Sequence, residues 1–323
     1  MSQSHVLQLV CPALPTVRIG FIGLGNRGMA TLRRYLVIEG VEIVALCDIN
    51  PDNIAQAKDL LRQAKANTPM IYETNDGWEQ LCKHPDIDLI YICTDWLTHT
   101  PMACYAMEQN KHVAIEVPAA TTVYECWQLV NTAERTRKHC FMLENCCYDT
   151  FHQATLTMTH QGILGTLTHL EGAYIHDLRD KYEADGPKGW MGRLCGQHKG
   201  NPYPTHGIGP VCQLLGIHRT DRLDYLVSLT PSTDAPHDTC INHTLIRTEK
   251  GKTILLQYDV TTPRPYSRMQ TVCGTRGFVQ KYPRRCIMLD GCEPIKGDAV
   301  EPLITQYTHP EIAQIQEEGK KRN

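Results

Sequence analysis

The residues with the clearest chemical signature stand near the start of the chain. Gly23-Leu24-Gly25-Asn26-Arg27-Gly28 has the spacing G-x-G-x-x-G. It follows Val17-Arg18-Ile19-Gly20-Phe21-Ile22, an apolar run with β-branched residues that reads as a buried parallel strand. Met29 to Ile38 then has helical spacing. Gly23 permits the tight turn, Gly25 lets backbone approach a pyrophosphate, and Gly28 lets helix and strand pack closely. The phosphates would sit at the helix N-terminus, where unpaired N–H groups and the dipole favour anions. Asp48 closes the next strand, Val41 to Cys47. A carboxylate there accepts from the ribose hydroxyls and repels a 2′-phosphate, so the expected cofactor is NAD rather than NADP.

A second concentration of chemistry lies in Gly200-Asn201-Pro202-Tyr203-Pro204-Thr205-His206-Gly207. It ends a long polar stretch that also holds Asp177-Leu178-Arg179-Asp180, Trp190 and Arg193. Loops this long are uncommon unless functional. Tyr, His, Arg and Trp are side chains that stack on sugars or move protons. Asp177 and Asp180 could be taken for a catalytic carboxylate pair. They read instead as loop caps and as partners for Arg179.

Something must hold these groups in place. The first half alternates helix and strand: helical composition at Asp59 to Lys65 and Asp76 to Lys83, and an apolar strand at Ile87 to Cys93. The Thr94-Asp95-Trp96-Leu97-Thr98-His99 segment reads as a loop, and Pro101 to Gln109 as a helix opened by proline. A strand, His112 to Glu116, ends at Pro118; a helix, Thr122 to Arg137, and a strand, Cys140 to Leu143, lead to Glu144-Asn145. Trp96, His99, Glu116 and Asn145 all follow strand ends, where a doubly wound sheet binds its ligand. From about residue 150 long strands take over: Leu167 to His176, Leu223 to Thr230, and hairpins at Cys240 to Thr261 and Arg268 to Tyr282. The fold class expected is therefore α/β: a Rossmann doubly wound parallel sheet, followed by an α+β domain with a large, mostly antiparallel open sheet. The expected division is an extension at 1–16, an NAD-binding domain at 17–149 and a substrate and oligomerisation domain at 150–323.

Composition narrows the function further. The net charge is −3 and the sequence pI about 6.6, which argues against a nucleic-acid or anionic-membrane partner. No apolar run is long enough to span a bilayer. The 15 cysteines are odd in number and lack C-x-x-C spacing, so they read as reduced, mostly buried thiols. Cys240-x-x-His243 is the nearest approach to a metal pair and has no second half nearby, so no metal is expected.

The glycine fingerprint, the Thr94-to-Pro101 loop and Glu116-x-Pro118 resemble the Gfo/Idh/MocA oxidoreductases. That superfamily usually has Glu-Lys-Pro, whose lysine assists proton transfer; here Val117 can neither donate nor accept a proton. Glu116-Val117-Pro118, Glu144-Asn145-Cys146-Cys147-Tyr148, Tyr174 to Arg179, Gly200 to Gly207 and Arg264-Pro265-Tyr266-Ser267-Arg268 are together similar to glycoside hydrolase family 109. The resemblance implies an NAD-dependent α-N-acetylgalactosaminidase. Such an enzyme oxidises carbon 3 of the sugar, eliminates the aglycone after loss of the carbon-2 hydrogen, adds water and re-reduces. Asn26, Arg27, Asp48, Trp96, Leu97, Thr98, His99, Glu116, Val117, Asn145 and Tyr203 would line NAD. Tyr174, Arg193, Tyr203, Pro204, Thr205, His206 and Tyr266 would line the carbohydrate substrate.

In those terms His206, supported by Tyr203, would handle the carbon-3 hydroxyl proton, and Tyr174 and His176 the proton transfers at carbon 2 and the leaving group. A plain sugar or polyol dehydrogenase and a non-catalytic NAD-binding paralogue are the rival readings. No export signal is visible, so the expectation is a cytoplasmic member, or an exported one whose signal lies outside this sequence. The family's C-terminal segment beyond the His309-Pro310 region is expected to be missing. A homo-oligomer is expected, because the open face of the second sheet is a natural dimer surface.

Overall fold

The computed structural model describes residues 5–7, 9–182, 189–197, 200–232 and 240–322. Parts of the expected N-terminal extension (1–4 and 8), of the long polar stretch (183–188 and 198–199) and the last residue lie outside the described residues. The chain divides into two compact units, Met1–Leu143 and Glu144–Asn323.

The first unit holds the strands β1 (Val17–Ile22), β2 (Val41–Cys47), β3 (Met70–Tyr72), β4 (Leu89–Ile92), β5 (His112–Ile115) and β6 (Cys140–Met142). They pair in parallel in the order β3-β2-β1-β4-β5-β6. This is the doubly wound order, with its switch between β1 and β4. Both faces are buried. Phe21, Leu46 and Tyr91 enter one core and Ile22, Cys47, Ile90 and Ile92 the other, which explains why these strands read as continuous apolar runs. Each fully buried side chain of this size contributes about 1.5–3 kcal/mol.

The helices differ from the sequence reading at their starts. One runs over Pro51–Gln63, opened by Asn50, whose side chain accepts from Asp52 N at 2.9 Å. Another runs over Trp96–Glu108, so the expected loop at Trp96–His99 is its first turn. Asp95 caps it by accepting from Leu97 N at 3.0 Å, and Pro101 lies inside the helix. An Asp cap stabilises a helix start by about 1 kcal/mol, and here it overrides the signal from proline.

The second unit carries β7 (Leu167–Ile175), β8 (Leu223–Leu229), β9 (Ile241–Thr248), β10 (Thr253–Asp259), β11 (Gln270–Gly274), β12 (Gly277–Gln280), β13 (Cys286–Leu289) and β14 (Ile295–Lys296). They form one sheet in the order β14-β13-β12-β11-β7-β10-β9-β8, antiparallel except for the parallel pair β7–β10. Helices Thr150–His160, Thr205–Leu215 and Glu301–Tyr307 cover one face, packing Phe151, Met158, Val211, Leu214 and Ile304 on Leu170, Ile254, Leu256 and Val272. The helices Thr150–His160 and Thr205–Leu215 were not expected. Pro310–Arg322 is the expected terminal helix. No helix among the described residues is long and apolar enough to cross a membrane.

Candidate functional site

In the first unit the glycine turn is built as an anion cradle. Gly23 has φ +92°, and a Cβ there would lie 2.2 Å from the Cys93 carbonyl oxygen. A Cβ on Gly28 would lie 2.1 Å from the Gly23 oxygen, so that glycine is demanded by helix–strand packing. At Gly25 nothing lies within 4 Å of a built Cβ, and the space is open to a ligand. The helix that starts there, Asn26–Tyr35, has no side-chain cap and no acidic residue in its first turn. The helices after Asn50, Asp95 and Thr122 are all capped by side chains. An uncapped N-terminus beside an open glycine leaves N–H donors for a phosphate, and these residues therefore fit a dinucleotide.

Asp48 is held at the end of β2. Its Oδ2 accepts from Leu24 N at 2.6 Å and its Oδ1 from Asn50 N at 2.8 Å, so the carboxylate is oriented from within the turn itself. Asn26 and Arg27 are exposed at the helix start. Arg27 Nε is 3.9 Å from Glu116 Oε2, while Glu116 Oε1 accepts from the Tyr91 hydroxyl at 3.0 Å. Val117 is buried. On the helix after β4, Trp96 and His99 are buried and Leu97 is half exposed. The Thr98 hydroxyl lies 2.7 Å from that of Thr94. His99 Nδ1 donates to the Pro118 carbonyl at 2.8 Å, and burial pushes its pKa down. It is a neutral imidazole bracing the turn after β5.

In the second unit, His206 is the second residue of helix Thr205–Leu215 and is buried. Pro204 sits at the N-cap, and its carbonyl accepts from Gly207 N and Ile208 N. Asn201 Oδ1 accepts from Tyr203 N at 3.0 Å and shapes the approach to the helix. The helix lies directly on β7: a Cβ on Gly172 would be 2.3 Å from the Gly207 carbonyl oxygen. Two glycines thus let backbone meet backbone, and His206 is held against the strand that carries Tyr174.

The imidazole is gripped at both ends. Nδ1 is 2.8 Å from Glu144 Oε1 and 2.7 Å from Oε2. Its hydrogen is directed at Oε1, which also accepts from Cys146 N at 2.7 Å; Oε2 is buried and accepts no hydrogen bond. Nε2 is 3.2 Å from the Tyr203 hydroxyl. Burial works against charge on Glu144, but the His206 hydrogen bond and the Cys146 N–H outweigh it and hold its carboxyl below the ordinary range. An ionised Glu144 puts the imidazole hydrogen on Nδ1 and leaves the Nε2 lone pair facing Tyr203. A base so oriented by a buried carboxylate can take a proton from a hydroxyl.

Around it stand aromatic rings. Tyr174 is 4.9 Å from the Tyr203 ring and 5.4 Å from His206, centroid to centroid, and stacks on Tyr258 at 6.5 Å. The Tyr174 hydroxyl is 3.3 Å from His176 Nδ1, and Tyr266 packs edge-on against His176 at 5.0 Å. Burial, with the charges of Lys181 and Arg268, lowers the His176 pKa and favours its neutral form. The Arg268 guanidinium lies over both Tyr174 and Tyr266, at 5.6 and 5.8 Å, and donates to Cys146 Sγ at 2.7 Å. Tyr203, Tyr174, His176, His206 and Tyr266 thus form one cluster. Thr205 is buried, Asn145 is exposed with its Oδ1 3.4 Å from Arg268 Nη1, and Arg193 is exposed on helix Trp190–Gln197. Asp177 does accept from Arg179, at 2.9 and 2.8 Å, as the loop reading expected. Cys240 is buried and His243 exposed, so that spacing makes no metal pair.

Glu144 and Arg268 are the site residues missing from the sequence-based set. Both stood in quoted motifs, and Glu144 followed a strand end, the position at which a doubly wound sheet places ligand groups. Its partner is 62 residues away, a separation that periodicity does not reveal.

Comparison with known proteins agrees with this division. Residues 17–144 match the "Oxidoreductase family, NAD-binding Rossmann fold", and residues 148–243 and 236–322 match "Glycosyl hydrolase 109, C-terminal domain". The chain is 55% identical over 348 residues to an α-N-acetylgalactosaminidase of Bacteroides fragilis, covering 100% of this chain and 82% of that protein. It is 53% identical over 349 residues to glycosyl hydrolase family 109 protein 2 of Phocaeicola vulgatus, with 100% and 84% covered. Among solved structures, an inositol dehydrogenase homologue from Azotobacter vinelandii complexed with NAD+ has a TM-score of 0.70 at 18% identity, covering 87% of this chain and 75% of that one. At that identity the likeness shows a shared fold.

Proposed function

Because the chain belongs to glycosyl hydrolase family 109, we propose that it is an NAD-dependent glycosidase acting on terminal N-acetylhexosaminides, α-N-acetylgalactosaminides first among them. The observation that carries this reading is the line Glu144–His206–Tyr203, a buried base with its lone pair fixed in direction. When bound, NAD supplies a hydride acceptor for carbon 3 and returns the hydride once the glycosidic bond is broken. The open Gly25 turn and the Asp48 carboxylate are the groups that would hold its pyrophosphate and ribose.

The chain's own residues then manage protons. His206 Nε2 takes the proton of the carbon-3 hydroxyl, and Glu144 stabilises the imidazolium that results. Tyr203 orders the hydroxyl beside Nε2 and gives a donor for the oxygen that gains charge. Tyr174 and His176, joined at 3.3 Å, serve the carbon-2 hydrogen and the leaving oxygen. Arg268, over the Tyr174 ring, holds that ring in place beside His176. Arg193, Pro204, Thr205 and Tyr266 are assigned to the sugar, and Trp96, Leu97, Thr98, Glu116, Val117 and Asn145 to the cofactor. Ring by ring, Tyr174, Tyr203 and Tyr266 offer apolar faces suited to pyranose C–H groups. We further propose a homo-oligomeric assembly and a cytoplasmic compartment, with export as the alternative.

The deciding measurement is p-nitrophenol release from a panel of α- and β-glycosides with absorbance at 340 nm followed in parallel. Release without net NADH is the expected result, and the preferred glycoside names the sugar. NADH accumulating on free sugars without aglycone release would make the protein a dehydrogenase and overturn the proposal.

A further inference from the structure

Three residues of the His206 cluster present different donor atoms to one point. The carboxylate of Glu144, Sγ of Cys146 and a ring nitrogen of His206 all lie within 4.8 Å of one another. Glu144 and His206 are buried, and Glu144 Oε2 has no hydrogen-bond donor although it is shut away from water. A buried carboxylate oxygen left without a donor is costly, and a cation would satisfy it.

The spacing can be tested against coordination geometry. A tetrahedral Zn2+ with bonds of about 2.3 Å to sulfur and about 2.05 Å to nitrogen sets the two donors about 3.6 Å apart. Cys146 Sγ and His206 Nδ1 are 3.7 Å apart. Nitrogen and carboxylate oxygen would stand about 3.4 Å apart around the same ion. Nδ1 and Oε2 are 2.7 Å apart, an ion-pair distance too short for two ligands of one ion, so a modest rotation of the Glu144 side chain is required. One thiolate, one imidazole and one carboxylate suit zinc or cobalt and not magnesium or calcium, which demand oxygen shells. Arg268 opposes a cation by its charge. Its Nη1 already donates to Cys146 Sγ, however, and such a donor steadies a metal-bound thiolate.

We propose that Glu144, Cys146 and His206 form a binding site for a thiophilic divalent cation of the zinc class, and that its occupation switches off the base. On binding, coordinate bonds form from Cys146 Sγ, His206 Nδ1 and Glu144 Oε2, and water leaves the ion. The Cys146 thiol gives its proton to solvent, and His206 moves its hydrogen from Nδ1 to Nε2, so one proton is released per ion. With Nε2 protonated, the lone pair that faces Tyr203 is gone. Inhibition rests on the glycosidase reading; binding does not.

The test is titration of the full chain with Co2+, following the near-ultraviolet thiolate-to-cobalt charge-transfer band, alongside assays with and without Zn2+ and EDTA. A band equivalent to one ion per chain should appear. It should be lost in Cys146→Ser, kept in a variant of the exposed Cys292→Ser, and need at least about tenfold more cobalt in Glu144→Gln. Identical titrations of wild type and Cys146→Ser would overturn the site. Bound cobalt with undiminished glycoside cleavage would overturn the switch, while a protein inactive on every glycoside would still give or fail to give the band.

Discussion

Replacing Glu144 by Gln tests the chemistry at its least exposed point. Glu144 is 5% exposed, so little solvent screens its interaction with His206, whose Nδ1 lies 2.8 Å from Oε1. A hydrogen bond to a charged group contributes about 1.5–3 kcal/mol net. Losing it as His206 becomes an imidazolium lowers kcat by roughly ten- to hundredfold, at about 1.36 kcal/mol per tenfold. A larger fall, toward about 10⁴-fold, would mean that the amide had inverted the imidazole tautomer. Cys146 N–H donates at 2.7 Å to Oε1 and should keep the glutamine carbonyl oxygen in that place, so the smaller range is expected. The assay is steady-state hydrolysis of the preferred p-nitrophenyl glycoside, with circular dichroism to establish that the variant is folded. A kcat within about twofold of wild type, or a change confined to KM, would refute the role given to the Glu144–His206 pair.

Other perturbations follow from the same structure. Gly172→Ala places a Cβ 2.3 Å from the Gly207 carbonyl oxygen, a backbone atom that cannot swing aside, and should cost about 1–3 kcal/mol, read as a lower urea midpoint. Asp48→Ser removes the carboxylate proposed to repel a 2′-phosphate; the NAD-to-NADP affinity ratio should fall at least about tenfold by isothermal titration, and an unchanged ratio would contradict the assignment. His99 and His152 are both held neutral by burial, with pKa values pushed below the ordinary 6.5. The unfolded chain therefore binds more protons below about pH 6.5, and the stability these residues contribute is full above that pH and lost as pH falls toward their native values. Thermal midpoints measured from pH 8 to pH 5 should drop in that window, and a flat profile would count against neutral burial.

The doubly wound unit was legible because its strands are buried on both faces and its glycine turn has a sequence form. Helix starts were less so. The Thr94-to-His99 segment lacks apolar periodicity, and its helix is set by one Asp95 side-chain bond rather than by a pattern. The helix over Thr205–Leu215 contains Gly207, Gly209 and Pro210, residues that argue locally against helix; packing against β7 and the core residues Val211 and Leu214 wins. Tyr203 and His206 were found from composition and motif because they share one short segment. Glu144 meets them only through the tertiary fold, and Arg268 only because β11 pairs beside β7.

The glycine seam also bears on how this scaffold could be altered. At Gly172 and Gly207 the helix that presents His206 meets β7 main chain to main chain, with no side chain between those two residues. Side chains elsewhere in the aromatic cluster can therefore be exchanged in a library without shifting the imidazole along the strand. Tyr266, which enters from the loop before β11 and not from the seam, is the natural position at which to randomise for a different sugar.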